Sequence, residues 1–134
     1  MEKAKRKKIL FIERHDSFRE SLTELLRLKN YHVFTATNGY LGLSLTRKYA
    51  PDLVICARSF SDCNCWNILQ ELRKADVFRK TPFIFLSSKP AGDEHQKMSE
   101  QEAVFTLIKP FPTEKLIDRI EACFAPTVAV VAMA

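Results

Sequence analysis

Five short apolar segments alternate with amphipathic segments along this 134-residue chain, and the alternation constrains the fold more than any other feature. The apolar segments are rich in β-branched and aromatic residues, as buried strands are. They are KILFI (8–12), YHVFTAT (31–37), DLVICA (52–57), PFIFLS (82–87) and AVFTLI (103–108). Strict alternation of strand and helix favours parallel pairing, because right-handed crossovers place the helices on the two faces of the sheet. We therefore predict an α/β domain with a doubly wound five-stranded parallel sheet.

The intervening segments predict helices of unequal strength. The first carries Phe18, Leu22 and Leu25 at helical spacing, and Ser17 with Glu20 suggests a capping box at its start. The segment before the last strand contains only Met98 as a sizeable apolar residue, so it has little surface to bury. We expect five helices, of which the fourth is weak and is short, shifted or mobile.

Charge at one end and apolar content at the other divide the chain into three parts. Five of the 21 basic residues fall within the first eight, which marks 1–7 as a basic N-terminal arm before a domain at 8–124. Because the remaining basic residues are scattered among acids, nucleic-acid binding is not expected. The apolar tail at 125–134 suits a strand that packs on the domain or pairs with a second copy. The second arrangement would make a homodimer, and a disordered end is the third alternative.

No apolar run approaches the roughly 18 to 20 residues that a membrane span requires, and the N-terminus lacks the apolar stretch of a secretory signal. We expect a cytoplasmic protein without a membrane span. The four cysteines form no pair of CxxC units and the three histidines are dispersed, so a zinc site is not indicated.

Ligands of doubly wound sheets bind at the carboxyl ends of the strands, where this chain places Glu13, Arg14, Ala57, Ser87 and Lys109. The segments KKILFIERHDSFRESLTELL, YHVFTATNGYLGLSL, PDLVICA, TPFIFLSS and LIKPFPTEKLIDRI resemble, in order and spacing, the receiver domain of response regulators in two-component signalling and phosphorelays. The resemblance covers about 7–124. It implies a flavodoxin-like strand order of 2-1-3-4-5.

The resemblance also shows where this sequence departs from the family. Receivers hold Mg²⁺ with an acid pair after the first strand and phosphorylate an aspartate that ends the third strand, while a Ser or Thr and a Lys contact the phosphoryl group. Glu13, Ser87 and Lys109 match this pattern, but Arg14 replaces the second acid and Ala57 replaces the phospho-acceptor. We therefore interpret the chain as a degenerate pseudo-receiver that has no catalytic residue, no metal site and no cofactor and is not an enzyme.

Two arrangements of the altered pocket follow from the residues. In the first, which we favour, Arg14 pairs with Glu13 or a neighbouring acid and fills the space of the metal. In the second, Arg14, Lys109 and Ser87 bind an anion.

Three cysteines, Cys56, Cys63 and Cys65, cluster near the same pocket and suggest thiol redox sensing as an alternative input. The simpler interpretation is that Cys56 fills the core and that Cys63 and Cys65 fill a loop.

The function expected from these features is that of a phosphorylation-independent module that binds a signalling or scaffold protein. The position at which receivers carry a switch aromatic is Thr106, so that switch is expected to be missing. The fourth helix, fifth strand and fifth helix are the expected interaction face, with the candidate contact residues His95, Met98, Phe105, Phe111 and Lys115.

Overall fold

The computed structural model describes residues 6–57, 65–87 and 93–125, with side chains in the last range from residue 96 onward. The strands are β1 (Lys8–Ile12), β2 (His32–Ala36), β3 (Leu53–Ala57), β4 (Phe83–Ser87) and β5 (Val104–Ile108). The helices are α1 (Asp16–Leu28), α2 (Gly39–Tyr49), α3 (Cys65–Arg73), α4 (Asp93–Ser99) and α5 (Thr113–Phe124), with a short 3-10 turn at Asp76–Phe78. Within these ranges no helix is both long enough and apolar enough to cross a bilayer.

All five strands pair in parallel in the order β2-β1-β3-β4-β5. The predicted five-stranded sheet, its strand order and the five helices are confirmed. The register pairs Ile12 with Cys56, and Ala57 with Leu86. The carboxyl ends of β1, β3 and β4 therefore finish at nearly the same level, which assembles a site from residues far apart in sequence.

Two apolar layers hold the helices against the sheet. On one face, side chains of α2, α3 and α4 pack against alternate strand residues, including Leu10, Cys56 and Phe85. On the other face, α1 and α5 pack against the intervening residues, such as Phe11 and Ile55. Every residue of β3 and β4 is buried because both strands are covered on both faces.

Helix α1 begins at Asp16, and its N-cap residue His15 makes no side-chain capping bond. The capping box predicted from Ser17 and Glu20 is therefore wrong, since Ser17 already lies inside the first turn. Arg19 stabilises this end of the helix instead. Its guanidinium pairs with the Asp16 carboxylate at 2.6 Å and donates to the carbonyl of Glu13 at 2.9 Å, which fixes the chain as it leaves β1.

Helix α2 packs unusually closely on β1. The Asn38 side chain caps the helix by accepting from the Leu41 N–H at 2.9 Å. At Gly42 a Cβ would lie 2.5 Å from Cδ1 of Ile12, so the absence of a side chain allows the close approach.

Helix α4 has seven residues, and its shortness agrees with the sparse apolar content of its sequence. Met98 is completely buried and packs with the α2–α3 face of the core. One large apolar side chain therefore anchors this helix to the sheet.

Candidate functional site

The structure brings the predicted site residues to one edge of the sheet. Glu13 follows β1, Ala57 ends β3, Ser87 ends β4 and Lys109 follows β5. The Lys109 N–H donates to the carbonyl of Ser87 at 2.7 Å. Since Ile12 is level with Cys56, Glu13 comes level with Ala57. Four of the five sequence-predicted positions thus lie together at this edge of the sheet, which we call the pocket.

Glu13 is the electrostatic centre of this pocket. Its carboxylate is completely buried, and neither oxygen has a hydrogen-bond partner among the described residues. Among the described residues, the cation that contacts it is the Lys109 ammonium, whose Nζ lies 3.6 Å from Oε1. The Lys109 side chain is 31% exposed, and its Nζ also lies 4.9 Å from the centroid of the Phe18 ring. The two partners of this ion pair therefore differ in burial, since the carboxylate is fully removed from water and the ammonium is in contact with solvent.

Arg14 is exposed and does not fill the pocket, so this part of the arrangement favoured from the sequence is wrong. Its side chain is exposed, and its backbone carbonyl accepts from Arg19 at 3.4 Å. Glu13 and Arg14 are consecutive residues at the end of a strand, where successive side chains point in opposite directions. When Glu13 turns inward, Arg14 turns outward, and the buried carboxylate pairs with Lys109 from the far strand instead.

The residues present do not fit a magnesium ion. Mg²⁺ needs several hard oxygen ligands in octahedral geometry. Among the described residues, one carboxylate is buried here and already contacts a cation, and position 57 offers a methyl group that is 0% exposed. Across the described ranges no group of three or more His, Cys, Asp or Glu residues could hold a metal. Ser59, Ser61 and Asp62, which follow this strand in sequence and carry side-chain oxygens, lie outside the described residues.

Two thiols meet beside the pocket, a contact that the sequence reasoning did not identify. The Sγ atoms of Cys56 and Cys65 are 2.7 Å apart, and Cys65 Sγ lies 3.1 Å from the carbonyl oxygen of Ala57. Cys65 belongs to the first turn of α3 rather than to a loop. Cys63, the third cysteine of the cluster, lies outside the described residues. The clustering was visible in the sequence, but the pairing depends on where α3 begins.

Several ionisable groups of the described residues that have shifted pKa values lie away from the pocket. Burial, and then the charge of Glu121, raises the pKa of Tyr31 above 10.0. Burial also raises the pKa of Cys123 above 9.0, although Arg119 opposes the shift. Burial lowers the pKa of Arg73, whose guanidinium donates to three backbone carbonyls and so has a structural role.

The expected interaction face is only partly exposed. Met98 has no exposed area to offer a partner, because it anchors α4. Phe111 is half-buried and lines a groove of about 160 Å³ between α1 and α5. Phe105 is also half-buried, with the Arg119 guanidinium 4.7 Å from its ring centroid. Lys115 is exposed, and the side chain of His95 is not among the side chains that the structure describes.

The switch position carries no aromatic ring, as the sequence shows, and Thr106 is half-buried within β5. Phe105, the adjacent aromatic, belongs to the core layer of α1 and α5. Its neighbour Arg119 was not among the sequence-predicted residues, since only the fold places α5 over β5.

Comparisons with known proteins agree with this architecture. The family model described as "Response regulator receiver domain" matches residues 9–121. Among curated proteins, the chain is 28% identical over 113 residues to a "Probable transcriptional regulator ycf29" of Porphyra purpurea, covering 84% of this chain and 54% of that protein. It is 27% identical over 115 residues to a "Cell cycle response regulator CtrA" of Brucella ovis, covering 86% and 49%. The chain therefore spans about half the length of these relatives.

Solved structures show the same fold. The non-phosphorylated HemR receiver domain of Leptospira biflexa superposes with a TM-score of 0.81 at 26% identity, covering 91% of this chain and 97% of that one. A putative response regulator of Chloroflexus aurantiacus gives 0.81 at 24% identity, covering 91% and 100%. The chemotaxis protein CheY4 of Vibrio cholerae gives 0.80 at 22% identity, covering 89% and 99%.

Proposed function

This chain belongs to the response regulator receiver family, and we propose that it is a pseudo-receiver, a signalling module that works without phosphorylation at the end of β3. We further propose that it is not an enzyme and that it acts by binding a signalling or scaffold protein. The observation that carries the proposal is the replacement of the acceptor by Ala57 beside an ion pair between Glu13 and Lys109. A methyl group cannot accept a phosphoryl group.

The charges of the pocket support the same interpretation. In a phosphorylated receiver the lysine after β5 neutralises the added phosphoryl oxygens. In this chain Lys109 is held 3.6 Å from a buried carboxylate without any added group. Removing Lys109 from Glu13 would leave a desolvated charge uncompensated, which is costly. The resident ion pair therefore favours one conformation of the pocket irrespective of phosphate.

The proposed interaction face comprises β5 and α5 at the edge of the sheet, where β5 pairs only with β4 within the described residues. Ile108 is 36% exposed there, and Lys115 and Arg119 are exposed on α5. A face with an apolar strand end and charges of both signs suits a partner segment that carries apolar residues and mixed charges, because the same helix also exposes the acids Glu114, Asp118 and Glu121.

A phosphorylation assay tests the first part of the proposal. The protein is incubated with acetyl phosphate and Mg²⁺ and then weighed intact. The wild-type chain is expected to gain no phosphoryl group. The matched control restores both carboxylates with Ala57→Asp and Arg14→Asp, and gain of a phosphoryl group by this variant alone would assign the loss to those positions. Stable phosphorylation of the wild-type chain would refute the proposal.

A pull-down tests the second part. The full chain is used as bait beside Lys115→Glu, and partner recovery is quantified by mass spectrometry. Lys80→Glu is the matched control, since Lys80 is an exposed lysine in the connection between α3 and β4. We expect Lys115→Glu to lose partners that Lys80→Glu retains. Equal recovery with both variants would contradict the proposed face.

The second candidate function is that of a regulator with another input. An anion held by Arg14 and Lys109 is one form of it, but Arg14 points to solvent and Lys109 already has a carboxylate beside it. If an anion binds there, titration with phosphate should shift the NMR resonances of Lys109. Thiol oxidation is the other form, and the contact between two buried thiols favours it.

A further inference from the structure

Two completely buried thiols touch at the carboxyl end of β3. Cys56 lies in the strand, Cys65 is the first residue of α3, and their Sγ atoms are 2.7 Å apart. Both sulfurs also approach the carbonyl oxygen of Ala57, at 3.1 Å from Cys65 and 3.7 Å from Cys56. Neither cysteine is in a disulfide. The pair therefore connects a helix to the strand that ends at the altered acceptor position.

We propose that Cys56 and Cys65 form a reversible disulfide when the protein meets hydrogen peroxide, and that this bond regulates the domain in place of a phosphoryl group. A disulfide requires a sulfur separation of about 2.0 Å, so the two atoms need to approach by less than about 1 Å. The inference rests on the thiol form of the second candidate function and deepens it, and it does not depend on which protein the domain binds.

The reaction balances without any further reagent. The Cys65 thiolate attacks one peroxide oxygen, the O–O bond breaks, and hydroxide leaves with the electron pair. The resulting sulfenic acid is then attacked by the Cys56 sulfur, so that the S–S bond forms and the S–O bond breaks. The departing oxygen and the earlier hydroxide take up the two thiol protons. Two thiols and one peroxide thus give one disulfide and two waters.

The fold assigns different roles to the two cysteines. Cys56 lies in the central strand β3, level with Ile12 and Phe85, and its side chain is buried in the core layer beneath the helices of that face. Cys65 belongs to the terminal turn of a helix, which opens at a much smaller cost than a central strand. Cys65 is therefore the thiol that meets peroxide, and Cys56 is the thiol that resolves the sulfenic acid.

The disulfide would couple α3 to the pocket. It joins the first turn of the helix covalently to the residue before Ala57 and removes both S–H donors from the Ala57 carbonyl. The start of α3 would then be fixed at the carboxyl edge of the sheet, beside the ion pair of Glu13 and Lys109. Oxidation would change the mobility of this edge without adding charge to it.

Peptide mapping of the oxidised wild-type protein tests the pairing without relying on a variant. The full chain is treated with a small molar excess of hydrogen peroxide, alkylated, digested and analysed by mass spectrometry. We expect a Cys56–Cys65 crosslink, loss of two of the four titratable thiols, and recovery of both with dithiothreitol. All four thiols remaining titratable when the peroxide-treated chain is unfolded, or a crosslink that uses Cys63, would overturn the proposal.

Variants separate the two roles. With a sulfenic-acid reagent such as dimedone, Cys56→Ala should accumulate an adduct on Cys65, whereas Cys65→Ala should leave Cys56 unlabelled. Cys123→Ala is the matched control and should form the disulfide as the wild type does. Labelling of Cys56 in folded Cys65→Ala would refute the assigned order. Because every readout is thiol chemistry, these results are independent of partner binding and of the phosphorylation assay.

Discussion

Replacing Lys109 with methionine should destabilise the domain substantially more than replacing Glu13 with methionine, although both changes remove the same ion pair. The reason is the unequal burial of the two partners. Glu13 is 0% exposed and both of its oxygens lack hydrogen bonds within the described residues, whereas the Lys109 side chain is 31% exposed. Lys109→Met leaves a buried carboxylate without its cation. Glu13→Met leaves an ammonium that can reach water.

The magnitude follows from the separation of the charges. At 3.6 Å and an effective dielectric constant of about 20, the attraction is roughly 5 kcal/mol before solvent screening of Lys109 is allowed for. Screening at the exposed end reduces the expected loss for Lys109→Met to about 2 to 3 kcal/mol. Glu13→Met loses the same attraction but removes a buried group whose unsatisfied oxygens cost about 1 to 3 kcal/mol. Its stability should therefore lie within about 1 kcal/mol of the wild type.

Urea unfolding followed by circular dichroism and Trp66 fluorescence measures both values. Lys115→Met, which removes an exposed lysine from α5, is the control and should change the free energy of unfolding by less than about 0.5 kcal/mol. If Glu13→Met destabilised the protein as much as Lys109→Met, the carboxylate would be stabilised by contacts other than the lysine, and the reasoning from unequal burial would be wrong.

Three further predictions use the same unfolding assay. In Gly42→Ala the new Cβ lies 2.5 Å from Cδ1 of Ile12, and an overpacking cost of about 1 to 3 kcal/mol is offset by about 1 kcal/mol of helix propensity, so we expect a net loss of up to about 2 kcal/mol. The exposed Ser44→Ala on the same helix should change stability by less than about 0.5 kcal/mol. A Gly42→Ala variant more stable than the wild type would contradict the steric argument. Asn38→Ala should cost about 1 kcal/mol through loss of the α2 cap, and Asn38→Ser should retain most of it. The raised pKa values of Cys123 and Tyr31 mean that the unfolded chain deprotonates first, so stability should be fully present below pH 9.0 and fall as the pH rises further. Cys123→Ala should remove the earlier part of this decline, and a flat profile in the wild type would contradict the assignment.

The sequence predicted the location of the site better than its contacts. Strand ends are visible in the sequence as boundaries of apolar segments. The sequence alone therefore assigned four residues to one edge of the sheet, namely Glu13, Ala57, Ser87 and Lys109. The partner of Glu13 could not be assigned in the same way. Arg14 was nearer in sequence, but the alternation of side chains at a strand end turned it to solvent.

The amphipathic helices were predicted more securely than their ends. The missing capping box at Ser17 shows the limit of local patterns, because Arg19 satisfies the same region through tertiary contacts with the chain leaving β1. Met98 shows the same limit of local sequence patterns. A single apolar residue in a polar segment suggested a surface contact, and only the packing of α4 against the sheet places it in the core.

The sequence by itself determined the α/β class and the chemistry that position 57 cannot perform, because periodicity and residue identity are local properties that no packing can change. Only the tertiary structure decided that Lys109 rather than Arg14 neutralises Glu13, and that Cys65 meets Cys56. Those contacts depend on where separate strands and helices end relative to one another, and that level is set by the register of the whole sheet.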